Sequence, residues 1–141
     1  MSSLVILQPA AVMMLLTLAV WLRLYFTRIP AMRRLRVHPQ KVVSRAQKAG
    51  VDLGDAEARA SDNFANLFEL PVLFYALCIS LYVTGMTDFV HLGLAWGFVI
   101  LRSVHSAIHL TYNRVMHRFI AYALGGAFLF AMAIRFAFAV F

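Results

Sequence analysis

The chain has 141 residues, 62% of them hydrophobic and only 13% charged, with a formal net charge of +7. That apolar share excludes an ordinary soluble domain and points to a single integral membrane domain over 1–141. The positive excess does not mark nucleic-acid binding, because the Lys and Arg residues cluster beside apolar segments, where membrane insertion and anionic headgroups favour them.

Four apolar segments are predicted in chain order, each near the roughly 20 residues that cross a bilayer as a helix. The first covers 4–26. No basic stretch or small-residue cleavage site precedes it, so it is expected to be retained. Gln8-Pro9 marks a cap or kink near its start, and Arg23 near its end can snorkel toward headgroups or turn inward. A polar connection follows over 27–63, with Arg28, Arg33, Arg34, Arg36, Lys41, Arg45, Lys48 and Arg59 set against Asp52, Asp55, Glu57 and Asp62. Most of these charges read as a solvated, headgroup-contacting loop. Pro30 and Pro39 are expected to break it, with a short surface helix over 41–49 ended by Gly50.

The second segment covers 64–84 and stops at Gly85. A short turn without Lys or Arg leads to the third segment, 89–110, and a basic loop containing Arg114 leads to the fourth, 118–140. Short connections imply antiparallel neighbours, so the expected architecture is all-α: a four-transmembrane-helix bundle. Loops one–two and three–four carry the basic residues, so the positive-inside rule puts them in the cytoplasm and both termini across the membrane. A bacterial inner membrane is the favoured location.

The stretch from Arg59 to Tyr75 carries polar groups into an apolar segment. If it is one helix, Arg59, Asp62, Asn66 and Glu69 share a face, and Pro71 bends it. A carboxylate such as Glu69 in a membrane segment must face protein, water or ligand. Arg102, His105 and His109 share a face at the end of segment three, and Arg118 and Tyr122 one at the start of segment four. Alternating chain direction brings all three sets to one membrane depth, where they can form a pocket for an anionic or zwitterionic small molecule. An internal network, with Glu69 paired to Arg102, explains the same residues. The five histidines show no metal-ligand pattern, so no metal is expected. The lone Cys78 lies in an apolar run and reads as a packing residue. Gly125-Gly126 reads as a site of close helix packing. Arg135, deep in segment four, is expected to snorkel outward or to pair at an oligomer contact.

At these residues the chain resembles the MAPEG family, the membrane-associated proteins of eicosanoid and glutathione metabolism. Asn66-Leu67-Phe68-Glu69 with Pro71 and Phe74 is similar to the family's Asn-x-x-Glu pattern, and Arg102-Ser103-Val104-His105 to its Arg-x-x-His motif. The spacing to Arg118 and Tyr122 resembles that of a prostaglandin-synthesising member. The resemblance implies a homotrimer with glutathione as co-substrate, bound between protomers at the cytoplasmic side. It implies that Arg118 stabilises the thiolate, and that Asn66, Glu69, Arg102, His105, His109 and Tyr122 line or support the site. Asp62 departs from the arginine common in enzymatic members, and Arg59, one turn earlier, is the candidate substitute. His109 stands where tyrosine is common, and Phe119 where the prostaglandin-synthesising member has serine.

Two functions are expected from these readings. The first is a glutathione-dependent transferase or peroxidase acting on hydrophobic small molecules that arrive from the bilayer. The second is a non-catalytic membrane protein whose polar groups form a structural network or bind a lipid headgroup. A transporter fits less well, since paired broken helices are lacking.

Overall fold

In a computed structural model, which describes residues 2–38, 40 and 51–141, the described chain is helical throughout. Pro39 and the surface helix expected over 41–49 lie outside those residues. Four helical stretches there are long and apolar enough to cross a membrane: Ser3–Arg34, Asp55–Thr84, Phe89–Leu110 and Val115–Val140. They define an integral, multi-pass helical membrane bundle.

The first stretch begins as a 3-10 turn, Ser3–Ile6, and continues as α1, Leu7–Arg34. It runs two turns beyond the expected end. Pro30 does not break it, because a proline's fixed φ is helical and its missing donor removes only one bond near the helix end. Pro9 lies in the first turn, where backbone donors have no intrahelical partner to lose.

The second stretch differs more. It is two helices, α2 over Asp55–Asn66 and α3 over Leu70–Thr84, separated by a turn at residues 67–69. Glu69 has φ −96° and ψ −104°, outside the helical region, and Pro71 opens α3 where its lack of an N–H costs nothing. The shared helical face expected for Arg59, Asp62, Asn66 and Glu69 is therefore broken before Glu69. Most of the described part of the expected 27–63 loop is also helix, as the last turns of α1 and the first nine residues of α2.

α4 occupies Phe89–Leu110, as predicted. Asp88 caps it by accepting from the His91 N–H at 2.8 Å. Gly85, at φ +69°, ends α3 in the left-handed conformation that glycine adopts without strain. α5 covers Val115–Val140, starting one turn earlier than expected. Asn113 turns the chain into it at φ 50°, which asparagine tolerates better than most residues.

Inside the bundle Phe74 and Phe98 pack at 4.6 Å between centroids, beside the buried Cys78. Outside, Val83, Phe89 and Phe138 are all more than 70% exposed, the reverse of a soluble protein. Hydrocarbon solvates such side chains, so association depends on close packing and internal hydrogen bonds. Thr17, Ser80, Thr84 and Ser103 return their hydroxyl protons to carbonyls four residues back. Among the described glycines the tightest is Gly97, where a Cβ would lie 2.4 Å from the Phe128 ring. Gly125 and Gly126 also face neighbouring helices, at ordinary contact distances of 3.5 and 3.6 Å.

Candidate functional site at the basic end of the bundle

The end of α1, the start of α2, the end of α4 and the start of α5 meet at one end. Arg28 Nε donates to Glu57 Oε1 at 2.8 Å, joining α1 to α2. Glu57 is buried, so this pair is an internal link and not the solvated loop contact expected from sequence. Arg59 donates to the Thr111 carbonyl, joining α2 to the α4–α5 turn.

Just inside this end α4 presents Arg102, His105, Ser106 and His109, all buried. The spacing of three and four residues puts them on one face, toward α2 and α5. Arg102 Nη2 donates to the Asn66 carbonyl at 2.8 Å, and the guanidinium carbon lies 5.1 Å from the Tyr122 ring centroid. Its Nε and Nη1 have no hydrogen-bond partner among the described residues, although Arg102 is fully buried. Tyr122 donates its phenolic proton to Glu69 Oε2 at 3.3 Å. The expected Glu69–Arg102 ion pair is absent among the described residues, because the break in segment two exposes Glu69 and Tyr122 stands between.

His105 Nδ1 lies 2.9 Å from the Arg118 carbonyl, and His109 Nδ1 lies 3.0 Å from the Arg59 carbonyl. A carbonyl oxygen only accepts, so Nδ1 carries the proton in both rings. The two imidazoles stack with centroids 5.8 Å apart, and His105 also meets Tyr122 at 5.6 Å. His105 Nε2 is buried without a partner.

The predicted residues thus divide into two groups. Asn66, Glu69, Arg102, His105 and Tyr122 form one connected cluster, with His109 against it. Asn66 enters through its carbonyl. Arg118 and Arg59 enter the cluster through their backbone, while their guanidinium groups bond the α4–α5 turn. Arg118 Nη1 donates to Asn113 Oδ1 at 2.8 Å, and no carboxylate among the described residues lies within ion-pair distance of it. Arg59 lies 3.9 Å from Asp55. Asp62 is exposed beside Arg59 in a polar pocket of about 370 Å³ that Tyr112 and Asn113 also line.

Sequence reasoning missed Asn63 and Asn113. Asn63 is buried, accepts from Ser106 at 3.1 Å and leaves Nδ2 unpartnered. Its signal was available: Asn63 precedes Asn66 by three residues, and Ser106 follows Arg102 by four, so both repeat on the facing sides. Asn113 gave no helical spacing to read. Among the described residues, no group of three or more His, Cys, Asp or Glu side chains is placed to hold a metal ion.

A four-span helical membrane protein with buried Arg102 and His105 at its basic end, joined through Tyr122 to an exposed Glu69, is the class that these features define. The model of the MAPEG family matches residues 6–138, and the chain belongs to that family. The family includes glutathione-dependent transferases and non-catalytic members. No curated protein and no solved structure matches the chain.

Proposed function

We propose that the protein is a glutathione-dependent transferase or peroxidase acting on hydrophobic electrophiles or hydroperoxides dissolved in the membrane. The observation that carries this reading is the state of Arg118. Its guanidinium is half-buried at the α4–α5 turn, bonded to a neutral amide and to no described carboxylate. A free thiol has a pKa of about 8.5 and is mostly protonated at neutral pH. An uncompensated guanidinium beside it favours the thiolate, which is the nucleophile and reductant.

The cluster behind Arg118 offers groups of both signs. Arg102 holds two N–H donors without partners, suited to a carboxylate, and the exposed carboxylate of Glu69 suits an ammonium or amide. Together they fit a zwitterionic peptide such as glutathione. Asp62 and Asp55 at the outer pocket oppose a second carboxylate there, and Arg59 beside them is the cation that offsets this. Tyr122 fixes the Glu69 carboxylate, and His105 and His109 hold the helix ends in register through backbone carbonyls. A homotrimer in the cytoplasmic membrane of a bacterium, with the basic end facing the cytoplasm, is the setting proposed for this chemistry. The test is turnover of a hydrophobic electrophile with glutathione by the purified protein. Arg118→Ala is expected to lower the rate at least tenfold, and unchanged turnover overturns the assignment.

A second reading is favoured by a different observation. Arg102, His105 and His109 each bond a backbone carbonyl on another helix, of Asn66, Arg118 and Arg59. Such contacts serve a purely structural lock of α2, α4 and α5. On this reading glutathione-dependent turnover does not exist, and replacing Arg102 destabilises the fold.

A further inference from the structure

We propose that the end of the bundle opposite the basic loops binds one phospholipid with a zwitterionic, N–H-bearing headgroup, phosphatidylethanolamine. A groove of about 830 Å³ runs there between the start of α4 and the last turns of α5. Phe130, Ile134 and Phe138 line its length, and Asp88, His91 and Arg135 close its end. It therefore has the profile of an amphiphile: an apolar trough beside a polar cluster.

The polar cluster is built, not incidental. Asp88 Oδ2 accepts from Arg135 Nη2 at 2.5 Å, across 47 residues of sequence. Its other oxygen caps α4 and lies 3.0 Å from His91 Nδ1. The 3.0 Å contact does not have hydrogen-bond geometry, but a protonated Nδ1 avoids lone-pair repulsion with the carboxylate, which favours Nε2 as the acceptor of the neutral ring. His91 is 3% exposed, lines the groove, and neither of its ring nitrogens has a hydrogen-bond partner among the described residues. A buried acceptor without a donor is costly in a membrane segment, and a ligand N–H supplies what is missing.

The charges select the headgroup. Arg135 is about half exposed and keeps further N–H donors for a phosphate oxygen. Asp88, also partly exposed, suits an ammonium. A headgroup carrying both a phosphate and an ammonium N–H matches all three residues. Phosphatidylcholine has the same charges but no N–H for His91, and phosphatidylglycerol has a hydroxyl but no positive charge for Asp88.

The test is native mass spectrometry of the protein ejected from nanodiscs containing equal amounts of the ethanolamine, choline and glycerol phospholipids. One ethanolamine lipid is expected to stay bound, enriched about fivefold over the choline lipid, the scale of a single hydrogen bond. His91→Phe should bring the two to parity, and Arg135→Gln should reduce retention of all three. No retained lipid, or a preference for the choline or glycerol headgroup in the unaltered protein, overturns the proposal. So does occupation of the groove by a second copy, read as an intermolecular disulfide formed by Phe138→Cys.

Discussion

Arg102 lies against the ring of Tyr122, not against the carboxylate of Glu69. The tyrosine stands between them, its face 5.1 Å from the guanidinium carbon and its hydroxyl donating to Glu69. The arrangement keeps the two charges from closing as a direct ion pair.

A consequence concerns the cost of Arg102. Two of its N–H groups are buried without partners, so its charge is incompletely compensated in the protein alone. Arg102→Met is therefore expected to leave the melting temperature in detergent unchanged or to raise it by about 2–4 °C, the scale of about 1 kcal/mol in a chain of this size. Glutathione binding, measured by calorimetry, should weaken at least tenfold. A fall in melting temperature of about 5 °C or more, with no binding to lose, favours the structural reading.

Acid should act at the opposite end. The His91 backbone N–H, and after it Arg135, hold the Asp88 carboxyl down at about 2. A carboxyl whose pKa is lower when folded than when unfolded stabilises the fold above its unfolded value and loses that contribution as pH falls through the folded one. Asp88→Asn keeps a capping side chain while removing the charge. The variant should melt a few degrees below the unaltered protein at pH 7, with the gap constant above about pH 4. The gap should then close as pH falls toward 2, and a gap independent of pH contradicts the account.

The helix contact at Gly97 has a sharper steric signature. A methyl group there meets the Phe128 ring at 2.4 Å, so Gly97→Ala should destabilise by about 1–3 kcal/mol. Phe128→Leu in the same chain should recover most of that loss, giving a coupling between the two positions. Gly126→Ala, facing Leu70 at 3.6 Å, should be tolerated. Equal losses at 97 and 126 would show that the packing differs from this description.

The pair of Arg28 and Glu57 is expected to matter for the same reason that sequence reasoning passed over it. Burial makes their hydrogen bond an internal one, and Arg28→Met should cost about 2 kcal/mol in denaturant unfolding. A change within about 0.5 kcal/mol is the result for a solvated surface pair.

The spans were legible because the bilayer sets their length and lipid rewards apolar runs all round a helix. α4 came out with its predicted ends, since the turn before it and the Asp88 cap are local signals. The break at residues 67–69 was not legible. Leu67, Phe68 and Leu70 continue the apolar run, and Pro71 reads equally as a bend within a helix or the start of a new one. The cluster of Arg102, His105 and Tyr122 was visible from spacing, because helical periodicity and alternating direction place it. The directions of Arg118, Arg59 and Arg135 were not. Long side chains choose partners by tertiary geometry, and Arg135 reaches Asp88 at the start of α4.

The central claim is that Arg118 creates a thiolate, and a difference spectrum tests it most directly. The purified protein, shown to be folded, is titrated with glutathione at neutral pH beside Arg118→Ala, and absorbance in the thiolate band is followed. A saturable signal that disappears in Arg118→Ala is the predicted result. No signal from the unaltered protein, or an equal signal from Arg118→Ala, contradicts the account.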